Sequence, residues 1–168
     1  MTPLPPDMYQ TGHYGAALLA YAPVGYLLLG WRPELALVGG AGVLMLATLP
    51  DTDQRIPLVR HRGPTHSLLF LALVAGVLGA FGWFLGESLL LGTQFELALF
   101  GALVGTIGVG SHLLADMLTP AGINLFWPLP FDPYSLYVTR ADDTLANWVL
   151  LALGVFVTAG VLLVAAPG

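Results

Sequence analysis

Seven consecutive residues concentrate the reactive side chains of an otherwise apolar chain, in the order His61-Arg62-Gly63-Pro64-Thr65-His66-Ser67. Only 9% of all residues are charged, so this grouping stands out from its surroundings. The Gly63-Pro64 pair can bend the chain so that both imidazoles face one centre. The guanidinium of Arg62 suits bidentate recognition of phosphate or carboxylate. The alternative is an interfacial anchor, in which arginine and histidine reach toward lipid headgroups.

Three further polar groups interrupt the apolar sequence. His112 and Asp116 are four residues apart, so on a helix they share one face and can bind one metal ion. A buried His–Asp hydrogen bond, or a pair with a loop arginine, is the alternative. Asp51 and Asp53 repel each other unless a cation lies between them, although an isolated Asp-Thr-Asp is more often a solvated turn. His13, taken alone, is typical of an interfacial histidine.

The composition predicts an integral membrane protein. Of 168 residues, 57% are hydrophobic, and the mean hydropathy is +0.81. We expect a single domain over residues 1–168, whose first apolar segment is retained because no positively charged leader precedes it. With no cysteine, any metal must be held by histidine and carboxylate ligands. A net charge of −5 excludes the basic footprint of a nucleic-acid-binding domain.

The apolar segments predict an all-α bundle of about five transmembrane helices. We place them at about 12–29, 34–49, 65–86, 95–117 and 145–166. Thr65 is the predicted N-cap of the third helix. Glycines on the third and fourth helices predict close packing, within one chain or between two, at Gly79, Gly82, Gly86, Gly101 and Gly105. Aromatic residues of the loop 119–144 suit a membrane-interface layer, namely Trp127, Phe131, Tyr134 and Tyr137.

This helix count brings every polar group to one membrane face. His13 begins the first helix, His66 begins the third, and His112 lies near the end of the fourth. Four of the five arginines fall on the same face, namely Arg55, Arg60, Arg62 and Arg140. Only Arg32 lies on the opposite face. The positive-inside rule then makes that face cytoplasmic. We therefore predict a protein of the cell (inner or plasma) membrane with its polar motifs toward the cytoplasm.

The converging residues form a metal-ligand set. All four histidines of the chain map to this face, together with Asp51, Asp53 and Asp116. Such a set suits a divalent transition metal, Zn²⁺, Mn²⁺ or Fe²⁺, as one or two ions.

The order of these motifs resembles a known family. His13, Leu49-Pro50-Asp51-Thr52-Asp53, the seven-residue stretch, and the segment from Ser111 to Gly122 are together similar to the YdjM-like family, over about residues 12–128. Its members are inner-membrane proteins described as LexA-regulated, membrane-bound, metal-dependent hydrolases. The resemblance implies a multi-helix membrane hydrolase with these metal ligands: His13, Asp51, Asp53, His66, His112 and Asp116. The segment between Asp53 and His61 is short here, and residues after Pro128 match nothing specific.

The leading hypothesis is hydrolysis of a lipid or lipid-linked phosphoester at the membrane surface. The metal would activate a water molecule. Asp53 or His61 would serve as general base, and Arg62, with Arg60, would bind the substrate phosphate. Two alternatives remain open. One is a non-catalytic metal-binding membrane protein, either a sensor or a carrier. The other is a structural or assembly protein whose polar residues only join loops.

Overall fold

The computed structural model describes residues 8–56, 61–88 and 92–165. Its described part contains five α-helices: α1 (Gln10–Leu29), α2 (Pro33–Leu46), α3 (Leu68–Ser88), α4 (Gln94–Met117) and α5 (Thr144–Ala165). Two short 3₁₀ helices, Pro50–Arg55 and Pro64–His66, lie between α2 and α3. The described residues contain no β-strand, so the all-α prediction is confirmed.

Four segments of the described chain are long and apolar enough to cross a membrane: Pro33–Arg55, Leu68–Gly86, Gln94–Met117 and Thr144–Ala165. The helix surfaces that face outward are apolar. On α5, for example, Phe156 is 76% exposed and Leu163 is 79% exposed. Exposed apolar faces of this kind are stable against lipid tails and costly in water, which supports a membrane location.

The helices pack in two close pairs, α3 with α4 and α1 with α5, while α2 and α4 also contact α1. A buried cluster joins α1, α2 and α4 through residues that include Ala17, Val43 and Val104. At one side of this cluster, the hydroxyl of Tyr21 donates a hydrogen bond of 2.8 Å to the carbonyl of Ala36. That bond satisfies a polar group inside an apolar contact.

Glycines permit the closest of these helix contacts. A Cβ at Gly82 would clash with the carbonyl oxygen of Leu97, and one at Gly101 with the carbonyl oxygen of Leu78. The predicted small-residue packing of α3 on α4 is therefore confirmed within one chain. The sequence reading did not identify a similar contact between α1 and α5, where a Cβ at Gly15 would meet the backbone of Leu150.

The start of α3 differs from the prediction. Thr65 is not its N-cap, because α3 begins at Leu68 and the Ser67 hydroxyl accepts the N–H of Phe70 at 3.2 Å. The hydroxyl of Thr65 instead contacts Asp53 and the ring of His66. The second helix also ends earlier than predicted, at Leu46. The predicted end of the last helix, Ala166, lies outside the described residues.

The segment between α4 and α5 closes the end of α4. The N–H groups of Leu136 and Val138 donate to the carbonyls of Met117 and Leu118, at 2.7 and 2.9 Å. These bonds satisfy carbonyls that a helix end leaves without an intrahelical partner. The loop also holds the start of α3, because Leu68 N–H donates to the carbonyl of Leu125 at 2.9 Å. The ends of α3 and α4 that carry the polar motifs are thereby tied together.

Candidate metal centre

The predicted convergence of polar groups is confirmed by the structure. His13 lies in the first turns of α1, Asp51 in the 3₁₀ helix after α2, and His66 in the 3₁₀ helix before α3. His112 and Asp116 lie in the last turns of α4. Segments distant in sequence thus meet at one end of the bundle.

Four of these side chains present one ligand atom each to a common centre: Asp51, His66, His112 and Asp116. The Nε2 atoms of His66 and His112 are 3.1 Å apart, and each lies 3.3 Å from Oδ2 of Asp116. Oδ1 of Asp51 lies 3.5 and 3.6 Å from the same two nitrogens. A tetrahedral ion with ligand bonds of about 2.0–2.1 Å holds its ligand atoms about 3.3 Å apart. The five distances therefore fit one such ion.

The ring of His112 is oriented by the end of α2. Its Nδ1 lies 2.7 Å from the carbonyl oxygen of Ala47, which can only accept, so Nδ1 carries the hydrogen. Nε2 then faces the centre. Backbone carbonyls commonly hold metal-binding histidines in this way.

The ring of His66 is oriented by a hydroxyl and a carboxylate. Thr65 Oγ1 donates to Oδ2 of Asp53 at 2.5 Å and lies 3.0 Å from Nδ1 of His66. Since the hydroxyl hydrogen goes to Asp53, the hydroxyl oxygen accepts from His66 Nδ1–H. The Nε2 lone pair of His66 then faces the centre, as for His112.

Asp53 lies behind His66, on the side of Nδ1. It is fully buried, and its Oδ1 accepts from Nδ1 of His61 at 2.8 Å. Asp53, His61 and His66 form a second group whose ligand atoms are close enough to hold an ion. His61 itself is 22% exposed, so it reaches the surface of this group.

Arg62 contacts Oδ1 of Asp116, whereas Oδ2 of that carboxylate faces His66 and His112. Its guanidinium lies 3.4 Å from Oδ1 of Asp116 and donates to the carbonyl of Gly122 at 3.2 Å and to the Thr119 hydroxyl at 3.3 Å. The Arg62 backbone has φ of 60°, a left-handed conformation that is uncommon outside glycine. The structure thus places Arg62 where it fixes the Asp116 carboxylate. Arg60 lies outside the described residues.

His13 lies beside the four-residue group. Its ring stacks on His112, with centroids 3.9 Å apart, and its Nε2 is 3.8 Å from Asp51 and 3.9 Å from Asp116. Nδ1 of His13 is buried without a hydrogen-bond partner in the part of the chain that the structure describes. The structure therefore places His13, one of the predicted ligands, beside the four donors and not among them.

The charges of the centre favour a cation. Three buried or half-buried carboxylates, those of Asp51, Asp53 and Asp116, meet one guanidinium, that of Arg62. Burial lowers the pKa of His66, but the carboxylates of Asp116 and Asp51 outweigh burial and raise that pKa to about 9. A proton on His66 therefore balances part of the excess negative charge in the metal-free protein. A divalent ion would balance more of it.

Sequence reasoning named the histidines and carboxylates that the structure brings together, but not the groups that orient them. Thr65 was predicted as a helix cap, and the carbonyl of Ala47 carries no side-chain signal at all. Thr119 follows Asp116 by three residues, and its hydroxyl donates to the Asp116 carbonyl at 2.8 Å. A search for hydroxyls beside candidate ligands would have found Thr65 and Thr119.

Comparison with known proteins identifies the family to which the chain is similar. The family described as "YdjM inner membrane protein" matches residues 8–166. The chain is 33% identical to "Inner membrane protein YdjM" of Escherichia coli (strain K12) and, equally, to the protein of that name from Shigella flexneri. Each match covers 67% of this chain and 61% of the relative's length. No solved structure matches the chain.

Proposed function

Because the chain belongs to the YdjM family of inner membrane proteins, we propose that it is a membrane-bound, metal-dependent hydrolase of a lipid or lipid-linked phosphoester. One observation carries the proposal: two imidazole nitrogens and two carboxylate oxygens lie at the mutual distances that one ion requires. The site fits Zn²⁺, Mn²⁺ or Fe²⁺. A divalent ion bound there would activate a water molecule and polarise a phosphoryl oxygen.

The position of the centre supports a substrate from the membrane. It lies where α2 ends and α3 begins, at one end of helices that are long enough to cross a membrane. Substrate would approach along the membrane surface. The excess of arginines at this end, by the positive-inside rule, supports a cytoplasmic face.

Within this proposal, Asp51, His66, His112 and Asp116 hold the ion. His61 is the general base, since it is partly exposed and is hydrogen-bonded to the buried Asp53. Asp53 is fully buried and accepts from both His61 and Thr65, so it acts by orienting these neighbours rather than by touching substrate. Arg62 fixes Asp116 and offsets its charge.

Metal content and turnover test the proposal together. We would purify the wild type with His112→Ala and Asp51→Ala, load each with Zn²⁺ or Mn²⁺, and measure bound metal by elemental mass spectrometry. Asp142→Asn is the control, since Asp142 pairs with Arg140 in the loop before α5, outside the donor groups. We expect one equivalent in the wild type and the control, and loss in the other two. A phosphoesterase assay on the loaded wild type must then show turnover that a chelator abolishes.

A second function, a non-catalytic metal-binding protein such as a sensor, is favoured by one observation. Four protein ligands already complete a tetrahedral site, and catalytic zinc sites keep a position for water. Hydrolysis therefore requires five-coordinate zinc, or a metal with more coordination positions. Stoichiometric metal without turnover on any phosphoester would favour the sensor. Two equivalents of metal would instead indicate that Asp53 and His61 hold a second ion.

A further inference from the structure

A cavity of about 770 Å³ adjoins the metal centre. It lies between the start of α1, the 3₁₀ helix Pro50–Arg55 and the start of α5. Asp51 belongs to both the cavity wall and the donor group. It is also the most exposed of the four donors, at 17%, whereas His66 and His112 are fully buried and Asp116 is 2% exposed. A molecule in this cavity would therefore reach the centre on the side of Asp51.

The polar end of the cavity suits an anion. Arg55 lines it together with the side chains of Thr11, Thr48 and Thr52. The N-terminus of the 20-residue α1 also lies at this cavity, and its N-cap residue, Tyr9, makes no side-chain capping hydrogen bond. By contrast, the carboxylate of Asp143 accepts the Ala146 N–H at the start of α5. A helix dipole and a guanidinium at this end together favour a phosphate.

A second cavity, of about 200 Å³, lies farther along α1 and α5, where α2 replaces the 3₁₀ helix in the wall. It is lined almost entirely by apolar side chains of α1, α2 and α5, including Leu18, Leu44 and Leu162. Leu18 follows Thr11 by seven residues, which on a helix is about 10 Å. Leu44 precedes Thr48 by about one helical turn. Both cavities are thus bordered by α1 and α5, and residues of their walls lie one to two helical turns apart along α1 and at the end of α2.

We propose that the two cavities form one crevice that binds a phosphomonoester lipid, with its phosphate beside Arg55 and Asp51 and one acyl chain along α1, α2 and α5. This inference rests on the proposed hydrolase function, because it names the substrate of the same centre. An acyl chain is the expected occupant of the apolar cavity, since helices of the crevice present exposed apolar faces to lipid. The charge at the other end of the crevice selects the headgroup. Substrate enters sideways from the bilayer.

Matched substitutions on α5 test whether the apolar cavity binds the acyl chain. Leu162 lines the apolar cavity, and the adjacent Leu163, 79% exposed, does not. Leu162→Trp would fill the cavity, and Leu163→Trp adds the same ring on the lipid side. Arg55→Gln tests whether Arg55 binds the phosphate. Its control is Arg140→Gln, because Arg140 lies in a loop and pairs with Asp142. Each metal-loaded variant would be assayed on phosphatidate in phosphatidylcholine nanodiscs and on water-soluble glycerol phosphate.

We expect Leu162→Trp to lower kcat/KM on phosphatidate by roughly tenfold or more, and Leu163→Trp to leave it unchanged. On glycerol phosphate, which has no acyl chain, Leu162→Trp should act as the wild type does. Arg55→Gln should slow both substrates, and Arg140→Gln neither. Equal rates for Leu162→Trp and the wild type on phosphatidate would overturn the inference, as would a wild type that prefers the soluble ester.

Lipid retention separates failure of this inference from failure of the proposed function. Native mass spectrometry of the detergent-purified protein, incubated with phosphatidate and chelator, measures binding without turnover. Retention by the wild type and by Leu163→Trp, with loss in Leu162→Trp, supports the crevice even if no hydrolysis is found. Turnover of soluble esters without phosphatidate retention would support the hydrolase and refute the lipid crevice.

Discussion

The Nε2 atoms of His66 and His112 lie 3.1 Å apart, and in both rings the opposite nitrogen is turned toward an acceptor. Without a cation between them, rings held this way would direct two lone pairs at each other. Such an arrangement is stable only when a cation lies between or beside the two nitrogens, either a proton or a metal ion. The carboxylates of Asp51 and Asp116 strengthen that preference.

Thr65 should control metal affinity without being a ligand. Thr65→Val keeps the shape of the side chain but removes the hydroxyl that links His66 to Asp53. We expect a loss of roughly 10- to 100-fold in metal affinity, as for other groups that orient metal ligands. Thr65→Ser, which restores the hydroxyl, should bind as the wild type does. Competition with a chromogenic chelator measures both, and equal affinity of Thr65→Val and wild type would contradict the orientation by Thr65.

The stability of the metal-free protein should fall as pH rises. The pKa of His66 in the folded chain is about 9, above its ordinary value of 6.5. A group with a raised pKa stabilises the fold fully below pH 6.5, and its contribution disappears as pH rises through about 9. We therefore expect the Tm of the chelated protein to decrease over this interval.

Bound metal should reverse this dependence, because the ion replaces the proton on His66. The metal-loaded protein should then be more stable at alkaline than at acid pH. Thermal unfolding in detergent, with and without chelator, gives both profiles. Parallel profiles in the two conditions would show that His66 does not bind the ion.

His61 should affect turnover and not metal content. It contacts the buried Asp53 and is itself partly exposed, as a general base must be. We expect His61→Gln to lower kcat by about 10²- to 10⁴-fold, while the variant keeps its bound metal and changes KM little. Loss of metal in this variant would instead make His61 a ligand. A flattened acid limb of the pH–rate profile, where protonation disables a general base, would not be expected from a structural role.

The packing of α3 on α4 should be sensitive to one methyl group. Gly82→Ala places a Cβ against the carbonyl of Leu97, and overpacking of this kind costs about 1–3 kcal/mol. Gly76→Ala on the same helix is the control, because a Cβ there meets nothing within 4 Å. We expect a lower Tm for Gly82→Ala and an equal or higher Tm for Gly76→Ala, since alanine favours helix. Equal Tm values for the wild type and both variants would show that α3 and α4 are farther apart at Gly82 than the structure places them.

The helix count could be predicted from the sequence because each apolar segment is bounded by proline, glycine or charged residues. That count alone brought His13, His66 and His112 to one end of the bundle. The start of α3 could not be predicted in the same way. Whether Thr65 or Ser67 caps the helix depends on Asp53, which is distant in sequence and accepts the Thr65 hydroxyl.

The different positions of the two carboxylates Asp51 and Asp53 could not be predicted from the sequence either. Asp51 and Asp53 are equivalent by type and spacing, and both were predicted as ligands. In the 3₁₀ helix Pro50–Arg55, however, they reach opposite nitrogens of His66. That difference depends on backbone geometry over a few residues, which residue types do not encode.

The donors of the four-residue group come from both halves of the chain, from Asp51 to Asp116. During synthesis, a ribosome that has made only the first three helices has produced Asp51 and His66 but neither His112 nor Asp116. The nascent protein therefore has no complete site until α4 has entered the membrane. Acquisition of the proposed metal would in this way be a late event of biogenesis, and a bound ion would report that the helices had reached their final order.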